Sequence, residues 1–183
     1  MKRRAFLLSG LCAGLFLLAG CCTPSSTKDE PLHSRLVKGM AARLEIAREV
    51  AWTKAQTGAP VLDVDREKAL LAALVKQGEA AGLSRDRVEK FFSAQIAASR
   101  EVQTELLAAW AAGTAERPRT APLDLRTQIR PRLDSLSNEL IEALAAAPVA
   151  DEYWWIGVRE ISRRALLQRG FSDTVSEIAS GGL

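Results

Sequence analysis

The chain has 183 residues, 48% of them hydrophobic and only 5% aromatic, with 25 basic and 22 acidic side chains, one histidine and three cysteines. Lys2, Arg3 and Arg4 account for the whole basic excess, so the rest is neutral and lacks the electrostatic footprint of a nucleic-acid binder. Cys12, Cys21 and Cys22 all fall in the first 22 residues and His33 stands alone, which excludes a disulfide, a thiolate or paired-histidine metal site and a Ser-His or Cys-His nucleophile from the remainder.

In chain order, residues 1–20 read as an export signal. Met1-Lys2-Arg3-Arg4 is a basic start, Ala5 to Leu18 is apolar but too short to span a bilayer, and small residues follow. Leu18-Ala19-Gly20-Cys21 matches the bacterial lipobox, which makes Cys21 the expected lipidated residue and a lipid anchor in the membrane the expected attachment. Arg3-Arg4 also resembles a twin-arginine signal, and the export route stays open. Residues 21–31 are polar and rich in Pro and Ser, as a flexible tether is. Residues 32–183 then form a single domain.

That domain is expected to be all-α, with about six helices and a long third one. Alanine and leucine dominate, and no strand-length alternation persists. The first helix runs over about residues 32–56 and stops at Gly58 and Pro60. His33 in its first turn is read as solvated. The second helix starts after Asp63, a suitable N-cap, and ends near Gly82. Ser84 caps the third, which reaches Trp110 or Gly113 and at about 28 residues would span about 42 Å. A fourth covers about residues 123–147, where Pro131 predicts a kink or a later start. The last two run over about 150–168 and 172–178, divided by Gly170.

Polar residues recur on apolar faces. Arg43, Ala47, Val50 and Lys54 lie on one continuous face of the first helix, so two cations flank a floor of small residues. Asp63, Arg66 and Glu67 share a face of the second; the helix dipole alone explains acids in a first turn, but not Arg66 beside Ala69-Leu70-Leu71. Ser99 and Gln103 stand four apart on the third, on the side of a mostly apolar stretch.

Together these residues resemble the all-helical chorismate mutase family. The resemblance rests on Arg43 with Lys54 eleven residues later, on Asp63-x-x-Arg66-Glu67, on Ser99-x-x-x-Gln103, and on the text around each. With the export signal and the extra C-terminal helices, it points to the exported, periplasmic subclass, in which one chain builds a complete site. Arg130, just before Leu133-Asp-Ser-Leu136, matches the later arginine of that subclass, with Arg126 and Arg132 as neighbours able to serve. The resemblance implies an isomerase that rearranges chorismate to prephenate without cofactor or metal. It implies Arg43 and Arg130 on the substrate carboxylates, Lys54 and Gln103 on the ether oxygen, and Arg66 as added positive field. Asp63 and Glu67 would orient the cationic wall or accept from the substrate hydroxyl, and Ser99 would bond a carboxylate. The competing reading is a non-enzymatic helical envelope lipoprotein that binds a protein partner through Trp154-Trp155. Against it, that pair, like Trp52 and Trp110, would be core packing or the seam of an expected homodimer. Convergence of Arg43, Lys54, Arg66, Gln103 and Arg130 on one cavity would separate the two.

Overall fold

The computed structural model describes residues 30–183, so the signal segment, the Cys21 lipidation position and most of the tether lie outside the described residues. Among the described residues there are six α-helices and no strand: α1 (Leu32–Thr57), α2 (Val64–Ala80), α3 (Arg85–Ala112), α4 (Arg130–Ala145), α5 (Glu152–Gln168) and α6 (Asp173–Gly181). Local chemistry sets their ends. Asp63, Ser84, Asp151 and Ser172 each accept a backbone N–H in the first turn of the helix they precede. At the other end, Gly58 at φ 69° turns the chain out of α1, and its N–H returns to the Lys54 carbonyl at 2.9 Å.

The fourth helical stretch departs from the single kinked helix expected over 123–147. A π-helical turn, Leu125–Ile129, precedes α4, and α4 begins one residue before Pro131. Proline has no N–H to return to the preceding turn and tolerates the first turn of a helix. The later start is therefore the form its constraint takes. The turn is closed by Asp124, whose carboxylate accepts from the N–H groups of Arg126 at 2.9 Å and Thr127 at 2.7 Å. The Gln128 side chain reaches back to accept from the Asp124 N–H at 2.7 Å.

The helices pack around one core. Leu36, Met40 and Leu44 of α1 meet Val88, Phe91 and Phe92 of α3, Leu140 and Leu144 of α4, and Val158, Leu166 and Val175 from α5 and α6. Phe91 and Phe92 are edge-to-face at 5.0 Å. α1 and α4 are antiparallel, since Arg35 meets Glu142, Gly39 meets Leu140 and Glu49 meets Arg132 in turn. Gly39 makes the approach possible, because a Cβ there would come within 2.8 Å of Leu140. α3 packs against α1, α2 and α6. His33 is half-buried in the first turn of α1, less solvated than its sequence position suggested.

Trp155 is buried, donates through Nε1 to the Pro148 carbonyl at 2.7 Å, and stacks under the Arg87 guanidinium at 3.8 Å. It is a core residue and no exposed anchor. Trp52 and Trp110 meet edge-to-face at 5.7 Å, and their ring nitrogens donate to the carbonyls of Thr120 and Glu116. Thr53 donates to the Leu123 carbonyl at 3.0 Å. These bonds strap segment 114–124 across the far end of α1 and deliver the chain to the π-helical turn.

Candidate active site

A cleft of about 880 Å³, counted to its open mouth, lies between α1, α2, α3 and the start of α4. Its walls include Arg43, Lys54, Asp63, Arg66, Glu67, Ser99, Gln103 and Arg130. All eight residues singled out from the sequence thus converge on one cavity from one chain, and that geometry speaks against the partner-binding lipoprotein. Ala47 and Val50 form the floor between the two α1 cations, and Leu70, Ile96, Leu125, Ile129 and Leu133 supply the apolar remainder.

Arg43 is 3% exposed, which is rare for a guanidinium. Its Nη1 donates to Ser137 Oγ at 2.5 Å and lies 3.5 Å from the Leu133 carbonyl, and its charge lies 5.6 Å from the Phe92 ring centre. Burial pulls its pKa down to about 10, partly offset by Asp134, so it stays cationic at neutral pH. Its Nε is buried without a partner. One edge of the guanidinium is fixed by α4, and a donor is left over.

Lys54 donates to the Val61 carbonyl at 2.9 Å, which uses one of its three N–H groups. Burial lowers its pKa, against the attraction of Asp63 and Glu67. Asp63 is exposed at the mouth and also caps α2, accepting from the Arg66 N–H at 3.0 Å. The capping explanation and the cleft position therefore hold together. Arg66 is exposed at the rim. Gln103 is 6% exposed and donates from Nε2 to the Ser99 carbonyl at 2.9 Å. That bond orients the amide and leaves the second Nε2 hydrogen uncommitted.

Arg130 stands at the junction of the π-helical turn and α4, half-buried against the cleft. Its neighbours do not share the position. Arg132 turns to the outside of α4 and forms a two-point pair with Glu49, and Arg126 is exposed outside the cleft walls. Two contributors were missed from the sequence. Arg100 lines the cleft and pairs with Glu67 at 3.5 Å. It was findable, since 96, 99, 100 and 103 share one helical face. Ser137, which holds Arg43, lies 94 residues away, and nothing local marks it. No group of three or more His, Cys, Asp or Glu side chains is gathered as a metal site would need, among the described residues.

Comparison with known proteins points to one family. A family model described as chorismate mutase type II matches residues 32–104. A secreted chorismate mutase of Mycolicibacterium smegmatis is 33% identical over 72% of this chain and 72% of its own length. A secreted chorismate mutase of Yersinia pestis is 27% identical over 56% of this chain and 54% of its own. The crystal structure of a chorismate mutase from Burkholderia thailandensis superposes with a TM-score of 0.72 at 31% identity, covering 84% of this chain and 98% of that one.

Proposed function

The chain belongs to the chorismate mutase family, and on that premise we propose how it performs the rearrangement of chorismate to prephenate, acting as an isomerase at the cleft between α1 and α3. The reaction is intramolecular. One carbon–oxygen ether bond breaks as one carbon–carbon bond forms, and no proton or electron need pass to the protein. The protein's part is to hold the compact conformer in which the bonding carbons meet, and to stabilise negative charge as it grows on the ether oxygen.

The observation that carries this reading is a set of cations and one amide donor converging from four segments of one chain, of which Arg43, Lys54 and Gln103 are each partly committed to the protein and keep donors to spare. Arg43, fixed through Ser137, takes one substrate carboxylate with its spare edge, and Arg130 takes the other. Ser99 adds a hydrogen bond to a carboxylate. Lys54 and the free Nε2 hydrogen of Gln103 donate to the ether oxygen; both are already oriented by the Val61 and Ser99 carbonyls, so little reorganisation remains. Arg66 adds positive field at the rim. Asp63 and Glu67 hold the cationic wall or accept from the substrate hydroxyl, Glu67 being itself held by Arg100. Enzymatic accelerations begin at about 10⁶, or about 8 kcal/mol, which conformer selection and a few preorganised donors suffice to supply.

Export is supported by the basic and apolar start of the chain and by the word secreted in the names of two relatives. We read the compartment as the periplasm, with Cys21 as a lipid anchor. No helix among the described residues is long and apolar enough to cross a membrane, so such an anchor would lie N-terminal to them. The eight site residues all come from one chain, so the site as read does not call for a residue from a second copy. The direct test is to incubate the purified protein with chorismate and follow its absorbance. Saturable loss with appearance of prephenate is expected. No loss above the uncatalysed rate would reject the reading.

A further inference from the structure

Turns that join helices are usually polar. The turn between α4 and α5 is not. Residues 145–150 read Ala-Ala-Ala-Pro-Val-Ala, and all but Ala147 are exposed. Val149 is 76% exposed and, one helical turn on, Tyr153 is 88% exposed, with Ile156 on the same side of α5 at 53%. Asp151 is accounted for separately, since it caps α5 by accepting from the Trp154 N–H at 2.9 Å.

The position of this apex matters more than its composition. α4 runs antiparallel to α1, so its C-terminal turn lies beside the first turn of α1, where Arg35 meets Glu142. α5 then runs back alongside α1, and Arg48 meets the Arg169 carbonyl at its far end. The apex and residue 30 are therefore at the same end of the molecule. From residue 30 the sequence leads back through a polar link of nine residues to Cys21 and the apolar segment 5–18. A link of that length reaches at most about 30 Å. An attachment at Cys21 would keep this end of the molecule near lipid.

We infer that the α4–α5 apex is a membrane-contacting surface, with Val149 and Tyr153 entering the lipid interface beside the N-terminal attachment. The inference rests on the reading of Cys21 as an anchor. The apex presents an apolar tip and a tyrosine, the composition that settles at headgroup depth, and the charges standing between them are the exposed carboxylates of Asp151 and Glu152. The contact is accordingly apolar and not a matter of anionic headgroups. Its effect is orientation. Arg43 and Lys54 lie about 16 and 33 Å along α1 from its first residue, so a docked apex sets the cleft back from the docked end.

The test uses the full exported chain in a Cys22→Ser background, with a nitroxide label at Val149→Cys or, as the control, at Ala112→Cys on the exposed far end of α3. Chorismate turnover checks folding of both. In vesicles of phosphatidylethanolamine and phosphatidylglycerol, the Val149 label should be shielded several-fold from a water-soluble nickel chelate and remain open to oxygen, unchanged by molar salt. The Ala112 label should stay open to both. Equal chelate access at the two positions would overturn the inference. So would spin–spin broadening at Val149 without vesicles, since a second copy would then cover the face. The mass of the purified chain reports acylation at Cys21 separately. If no acyl group is found, the anchor reading fails and this inference with it, while equal chelate access on the acylated chain overturns the inference and leaves the anchor reading standing.

Discussion

Two glutamines eight residues apart on α3 have nearly the same surroundings on paper. Gln95 is fully buried, donates from Nε2 to the Ala179 carbonyl at 2.9 Å, and leaves Oε1 without a partner. Gln103 is 6% exposed, donates from Nε2 to the Ser99 carbonyl at 2.9 Å, and also leaves Oε1 without a partner. The difference is what the bond holds. Gln95 reaches 84 residues along the chain to the last turn of α6, where helix carbonyls lack partners of their own, so its bond is part of the packing. Gln103 bonds its own helix one turn back, in a wall of the cleft, so its bond only aims the amide. Burial and hydrogen-bond count do not separate a structural polar group from a working one. The reach of the bond and the space it faces do.

The largest effect should come from the cleft side of this comparison. Lys54→Ala should lower kcat by about 10²–10³-fold, the usual loss for one transition-state donor, with helix content by circular dichroism unchanged. A near-normal kcat would remove Lys54 from the ether oxygen. Next, chains carrying Arg43→Ala and chains carrying Arg130→Ala should each be severely impaired and stay so when mixed. Recovered turnover would mean that two subunits share a site.

Gln103→Glu sharpens the contrast, because a carboxyl group donates only when protonated. Wild-type kcat/KM should be flat from about pH 5 to 8, since no histidine lines the cleft. It should fall on the alkaline side below the usual lysine range, because burial lowers the Lys54 pKa and the cation is lost as pH rises through it. The Gln103→Glu profile should instead decline steadily as pH rises from the acid end. A flat variant profile would break the assignment of Gln103. The smallest effect belongs to the other glutamine. Gln95→Leu leaves the Ala179 carbonyl unmet and should cost about 1–2 kcal/mol, a few degrees in Tm, with kcat unchanged. A loss of turnover at full stability would show that Gln95 is not merely structural.

Much of this was legible in the sequence because it is written in short-range chemistry. Asp63 and Ser84 mark helix starts, and the spacings 43–54 and 99–103 put polar groups on one face before any tertiary contact is known. What escaped depends on contacts between distant segments. Nothing near Ser137 says that it will hold Arg43. Nothing in the run 123–131 separates a kinked α-helix from a π-helical turn, since both satisfy the same propensities and differ only in which carbonyl each N–H meets. Arg130 was the expected residue, with Arg126 and Arg132 as neighbours able to serve, and only the turn's geometry sets their directions apart.

The π-helical turn makes the cleft sensitive to chain length in an unusual way. It takes up one residue more than an α-helical turn would, so a deletion within 125–129 could be absorbed by rewinding the turn, leaving α4 intact. Each residue of an α-helix advances the azimuth by about 100°. With α4 pinned to α1 through Ser137 and Arg132, the rotation would fall on the residues upstream, and Leu125 would swing off the cleft wall and the strap at Thr53 would lose its partner. The extra residue works as a phase setting between strap and helix, and the apolar side of the site depends on it.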